Sequence, residues 1–216
     1  MNVLPMLIPL VLEGMKMTVG VFLITLLLSL PLSLLVAALR LSKNPVLSKL
    51  TATYIYLMRG TPLLLQMMFI FFGLPQLPGG GIVLGRNTAI FVAFVLNYAA
   101  YFAEIFRGGI QSIDRGQWEA CQVLGLSKLS AFKKVILPQV MRTVLPSLSN
   151  EVITLVKDTS LVFTLGVMDV LKAAKATSIK YSTLTPYLYV GVLYLVFVAV
   201  LSHILSRVEK RVDYLS

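Results

Sequence analysis

From Met17 to Leu39 the chain runs for 23 residues without one formal charge. Wound as an α-helix, such a run is about 34 Å long, enough to cross the roughly 30 Å hydrocarbon core of a bilayer. The rest of the composition agrees, with 57% apolar and 13% charged residues against about half and a quarter in soluble domains. The expectation is an all-α integral membrane protein that folds as a single transmembrane domain, 1–216. A cleaved leader would need a basic start, a short apolar core and a small-residue cleavage site. Here Glu13 precedes Lys16 and the apolar run is too long, so the stretch reads as the first true span.

Five spans are expected, over about 15–39, 51–74, 87–107, 137–157 and 185–206. The second carries Arg59 and ends in "GLPQLPGGG", whose prolines and glycines cannot continue a helix. The fourth is the most polar. Orientation follows from the Lys and Arg residues near the span ends. Arg40, Lys43, Lys49, Arg107, Arg115, Lys128, Lys133, Lys134, Arg142, Arg207, Lys210 and Arg211 place twelve cations on one side, and Lys16, Arg86, Lys172, Lys175 and Lys180 place five on the other. The positive-inside rule then sets the N-terminus outside and the C-terminus in the cytoplasm. The net charge of +10 is thus a record of topology. Nucleic-acid binding would need basic residues gathered on one soluble face, and no such domain is present. A single cysteine, Cys121, and a single histidine, His203, offer neither an internal disulfide nor a metal-ligand cluster.

Between the third and fourth spans lies a wet, basic segment, about 112–136. Asp114 followed by Gln117 is a capping-box-like start, Trp118, Cys121 and Leu124 recur at helical spacing, and Gly125 supplies a left-handed stop. Ser127 can cap a second helix with Leu129, Phe132 and Ile136 on one face, and Pro138 is tolerated in the first turn of the next span. The pattern fits a cytoplasmic helix-Gly-helix knob. Pattern alone leaves two readings open, a helix pair lying on anionic lipid and a surface that docks a protein.

Charges inside a span cost about 2.5–3.5 kcal/mol on insertion scales, so they mark candidate sites. The substrate-site candidates are Arg59, Tyr98, Tyr101, Glu104, Glu151, Lys157, Asp158, Thr159 and Ser160. Glu104 and Arg107, three apart on one helical face, are read first as neutralising each other. Gly60 before Thr61-Pro62 suggests a kink whose freed carbonyls line a cavity, with a structural kink and an acid-paired Arg59 as the alternative. Tyr98 and Tyr101 are either an aromatic wall or part of an interfacial belt. "KDTS" at 157–160 stands where the fourth span should break, and exposed backbone with short polar side chains could cradle an amino acid.

"EACQVLG", nine residues and then "VILP" resembles the EAA loop of bacterial ABC importer permeases. Glu119, Ala120, Cys121, Gly125, Leu137 and Pro138 fall on that pattern, with Cys121 in place of Ala and Val135 in place of Ile as apolar departures of similar size. "MRGTPLLLQ" (58–66), "YFAEIFRGGI" (101–110) and "LPSLSNEVITLVKDTSLV" (145–162) look like the polar amino acid permease branch, of the histidine, arginine or glutamine type. The resemblance covers nearly the whole chain. It implies a type I ABC importer permease fold, with the EAA loop forming a coupling helix against an ATPase groove. It also implies that the chain is a transport subunit rather than an enzyme, in a bacterial cytoplasmic (inner) membrane. The chain itself has no G-x-x-x-x-G-K-[ST] phosphate loop, so ATP and Mg are expected on a partner and no cofactor on this chain.

The implied partners are two ATP-binding cassette ATPase subunits, a second permease copy or paralogue, and an extracellular or periplasmic amino-acid-binding protein. The bilayer and the amino acid complete the set. The function implied is import of polar amino acids by alternating access. Three acids against Arg59 and Lys157 lean towards a basic substrate such as arginine. The competing reading is a self-sufficient secondary carrier or channel, for which an ATPase-docking knob has no use.

Overall fold

The computed structural model describes residues 3–213, and every regular element among them is helical. The first helix, α1 (Leu4–Arg40), is 37 residues long with Pro5 in its first turn. At about 55 Å it exceeds the bilayer core. It begins eleven residues before the expected boundary of 15 (15 − 4), because Glu13 and Lys16 lie within the helix and do not end it. Its early turns rest on the outer layer of the bundle. A Cβ on Gly14 would lie 2.4 Å from the Asp169 carbonyl carbon, so only glycine permits that approach.

The second expected span is broken. Asn44 caps α2 (Pro45–Gly60), accepting from Val46 N–H at 2.9 Å. Pro62 then forces Thr61 into an extended conformation (φ −123°, ψ 148°). The chain resumes as α3 (Leu63–Met68), which runs through a π-turn (Phe69–Gly73) and a 3-10 turn (Leu74–Gln76) at 105° to α2.

Helix α4 (Arg86–Ser112) is the hub. It is the most buried of the long helices and packs against α1, α2, α3 and α7. Two short helices, α5 (Arg115–Val123) and α6 (Lys128–Ala131), build the knob, and a π-turn (Phe132–Ile136) leads into α7 (Leu137–Asp158). The approach of α4 to α7 is set at Gly109, where a Cβ would fall 2.1 Å from Val144 Cγ1.

After α7 a 3-10 stretch (Thr159–Leu165) ends at Gly166 (φ 76°). A helix unforeseen in the sequence follows, α8 (Val170–Tyr181), whose N-terminus is held by the buried Asp169 carboxylate accepting from Lys172 N–H at 2.8 Å. The last helix, α9 (Thr185–Asp213), packs on α7 and α8 and leaves most of its apolar surface outward. Three helices are long and apolar enough to cross a membrane among the described residues, α1, α4 and α9 to Val212, with the bent α2–α3 pair as a fourth if it is one span. Helix α7 occupies the expected fourth position but is too polar to meet that standard.

Candidate substrate site and coupling surface

The break between α2 and α3 leaves the Met58 carbonyl without its helical donor, because the residue four ahead is Pro62, which has no N–H. Two amides reach it instead: Asn97 Nδ2 of α4 donates to Met58 O at 3.0 Å, and Gln66 Nε2 donates to the same oxygen at 2.9 Å. Asn97 also donates to Gln66 Oε1 at 3.0 Å, and the Thr61 hydroxyl donates to Leu57 O at 2.8 Å. The Met58 carbonyl is therefore tied into a knot, while Arg59 and Gly60 beside it line an open cleft. Asn97, 4% exposed, and Gln66 were not foreseen as functional; a lone amide in an otherwise apolar span was the available signal.

Arg59, the residue after Met58, reaches two α4 side chains. Its guanidinium lies over the Tyr101 ring, 5.3 Å from the centroid, and its Nη1 is 3.9 Å from Glu104 Oε1. Glu104 is held more tightly by Arg107, which donates from Nε at 2.8 Å and also from Nη2. Self-neutralisation across one helical turn is thus what the structure contains, with Arg59 as a weaker third member. Arg40, at the end of α1, is near enough to add its charge to the group and donates to Ser48 Oγ at 2.8 Å.

One turn further into α4, Tyr98 is 1% exposed and donates its phenolic O–H to Asp158 Oδ2 at 2.8 Å. Its ring stacks on Phe94 at 6.5 Å and leans on Tyr101 at 6.3 Å, so the two tyrosines form an interior wall and not an interfacial belt. Glu151 stands seven residues before Asp158 on α7, two turns along the same face. It is half-buried and close enough to feel both Arg59 and Asp158. Arg59, Tyr98, Tyr101, Glu104, Glu151 and Asp158 are thus gathered between α2, α4 and α7.

The remaining candidates sit elsewhere. Thr159 and Ser160 donate their hydroxyls to Val156 O at 2.7 Å and Lys157 O at 2.8 Å, closing the end of α7, so neither has a proton left for a ligand. Lys157 is exposed and lines a cleft with Ser160, Tyr187 and Tyr194 on the α9 side.

The knob helices start and stop where their signals place them. Asp114 Oδ1 accepts from Gly116 N–H at 2.6 Å. At the far end Gly125 (φ 70°) donates to Gln122 O at 2.9 Å and Leu126 N–H to Cys121 O at 3.0 Å, the paired bonds of a Schellman ending. Ser127 Oγ accepts from Ser130 N–H at 3.3 Å, and Gln139 Nε2 reaches Gln117 Oε1 at 3.3 Å, tying α5 to the base of α7. Cys121, Ala131 and Ile136 are buried. Leu124 and Leu129, expected on the packed faces, are 76% and 63% exposed. Leu124 lies at the cap where α5 has already turned, and the π-turn adds a residue that puts Leu129 out of phase with Ile136. Val123 is exposed with them, as are Glu119, Ala120, Leu137, Pro138 and the Lys128, Lys133 and Lys134 cations of the same segment.

Residues 29–214 match the model of a family described as the binding-protein-dependent transport system inner membrane component. The chain belongs to that family. It is therefore a transport subunit of an inner membrane, not an enzyme, and its family works with ATPase and substrate-binding partners. Among curated relatives, the arginine transport system permease protein ArtQ of Bacillus subtilis (strain 168) is 37% identical over 94% of this chain and 93% of its own length. The nopaline transport system permease protein NocM of Agrobacterium fabrum (strain C58 / ATCC 33970) is 36% identical over 93% of this chain and 87% of its own. One chain of a crystal structure of an amino acid ABC transporter with histidines superposes at a TM-score of 0.88, with 32% identity over 98% of this chain and 99% of that one. The inward-facing MetNI methionine ABC transporter shares the fold at a TM-score of 0.69 and 20% identity.

Proposed function

We propose that this subunit is the membrane permease of an ATP-driven amino acid importer, selective for basic amino acids, that passes its substrate between α2, α4 and α7. The observation that carries the reading is the placement of Glu151 and Asp158 on one inner face of α7, opposite Arg59 and Tyr98. An amino acid brings a carboxylate and an ammonium, so a midplane site must offer a donor and an acceptor that face each other. Arg59 supplies the donor and the two acids supply the acceptors. Asp158 Oδ2 is taken by Tyr98, which leaves Oδ1 for a cation. The relatives named for arginine and nopaline transport support amino acid cargo, and the two acids favour the basic class.

The three or four apolar spans of one chain are too few to enclose a polar path, so the working unit pairs two permease copies or paralogues with two ATP-binding cassette ATPase subunits. ATP and Mg are bound there and no cofactor by this chain. An amino-acid-binding protein delivers substrate to the outer face, and the N-terminus lies outside. Glu119, Ala120, Cys121, Gly125, Leu137 and Pro138 form the ATPase-docking element. Its exposed Val123, Leu124 and Leu129 suit an apolar groove.

Substrate-stimulated ATPase activity across a panel of amino acids, in assembled complexes, tests the site. Glu151→Gln and Asp158→Asn should weaken stimulation by basic amino acids at least about ten-fold, the loss of one charge-assisted contact, and that by neutral ones far less. Unchanged affinities and preference order in both variants would remove the acids from the substrate path.

A further inference from the structure

Below the acid pair, towards the side assigned to the cytoplasm, the charge reverses sign. An open cleft is lined by Arg40, Ile55, Tyr56, Arg59, Gly60 and Glu104. Within it the one carboxylate is already claimed, since Arg107 grips Glu104 through two nitrogens. Arg59 approaches Glu104 only to 3.9 Å with its side chain 42% exposed, and makes no hydrogen bond among the described residues. Arg40 spends one N–H on Ser48 Oγ. A guanidinium carries five donors in a planar fork that matches a carboxylate. Two under-used forks therefore face one cleft that has no free acid.

We propose that the Arg40–Arg59 cleft is a carboxylate site on the exit path, which takes the α-carboxylate of the amino acid as it leaves the acid pair for the cytoplasm. The inference rests on the proposed function and adds a direction to it. Helix rise separates Asp158 from Glu151 by about 10 Å, and Arg59 stands within charge range of Glu151. A substrate whose cationic end rests on the two acids thus meets guanidinium groups at its other end, on the inner side. It leaves carboxylate first. A site of this kind, open to the cytoplasm, also refills from that side, so accumulated amino acid slows further import. Arg40 is a specificity residue that no motif singled out.

The test uses the complete transporter in neutral phosphatidylcholine proteoliposomes, with ATP and increasing unlabelled L-arginine inside, and reads uptake of labelled L-arginine delivered outside. Agmatine, which is arginine without its carboxylate, is the paired probe. Internal arginine should inhibit the wild-type complex, and internal agmatine should need about ten-fold more, the weight of one charge-assisted contact. In Arg40→Gln the two inhibition curves should converge, while Arg40→Lys should restore part of the gap because it returns the charge without the fork. Equal inhibition by arginine and agmatine in the wild type, or an undiminished gap in Arg40→Gln, overturns the proposal.

An anionic lipid headgroup presents similar oxygens. If adding phosphatidylserine changes transport through Arg40 while internal arginine does not, the cleft belongs to lipid and the proposal falls. Absence of any amino acid-stimulated transport in the wild type would instead be a failure of the functional reading.

Discussion

The Tyr98–Asp158 hydrogen bond joins residues 60 apart in sequence at 2.8 Å, with the phenol almost fully buried. Tyr98→Phe deletes the donor and keeps the ring, so the contacts with Phe94, Tyr101 and Phe102 survive. What remains is the energy of one bond, and its size depends on the state of the acceptor. Neutral interhelical bonds inside bilayers average about 0.6 kcal/mol in double-mutant cycles. Bonds to a charged group are worth about 1.5–3 kcal/mol. An ionised Asp158, which a cationic substrate requires, therefore predicts a coupling energy of about 1.5 kcal/mol or more between Tyr98→Phe and Asp158→Ala.

Equilibrium unfolding of the reconstituted protein in mixed micelles, on all four members of the cycle, measures it. The Asp158→Asn background supplies the internal control, because an amide still accepts but carries no charge. Coupling there should fall to about 0.6 kcal/mol. In the ATPase panel, Tyr98→Phe should keep the preference for basic amino acids that Asp158→Asn loses. A cycle energy no larger with the acid than with the amide would mean that Asp158 is not a carboxylate in the resting protein, and the charge-based account of selectivity would fail.

Three further outcomes are expected. Gly125→Val, which places a β-branched residue at φ 70°, and Glu119→Lys, which reverses charge on the knob, should insert normally yet lose ATPase coupling; wild-type transport in both would remove the docking assignment. Gly109→Ala should destabilise the protein by about 1–3 kcal/mol in the same unfolding assay, because its Cβ would meet Val144 at 2.1 Å, whereas Gly108→Ala, with nothing within 4 Å, should not; equal effects would mean that α4 and α7 do not approach as closely as described. In a Cys121→Ala background, Gln76→Cys should react with an impermeant thiol reagent from outside and Ser127→Cys only after permeabilisation, and the reverse pattern would invert the orientation.

Local signals in the sequence translate directly into structure. Gly125 and Ser127 end and restart the knob helices where their backbone preferences require, and Pro62 breaks the second span. What is not local is the direction taken after a break. The 105° turn at Thr61–Pro62 is held by Asn97, a residue 39 positions from the Met58 carbonyl it satisfies. Nothing near either residue in the chain announces the pairing, because a lone buried amide is compatible with any exposed carbonyl that packing delivers to it. Helix α8 was illegible for another reason. Its twelve residues mix lysines with alanines, too short and polar to resemble a span, and its cap, Asp169, draws its burial from Gly14 on a helix more than 150 residues earlier (169 − 14).

Helix α7 shows why hydropathy and position diverge. The composition of a helix reports what surrounds it, and a span needs apolar residues only where lipid touches it. On α7, Val140, Val144, Leu148, Val152 and Leu155 are buried against neighbouring helices, while Glu151 and Asp158 look towards Arg59 and Tyr98. Part of its polarity, Glu151 and Asp158, belongs to the interior of the bundle, while Lys157 stays exposed. Helix α9, by contrast, turns its apolar surface outward. The difference between the fourth-position and fifth-position helices therefore follows from which side of each carries charge, and under the proposed function the substrate path runs on the α7 side.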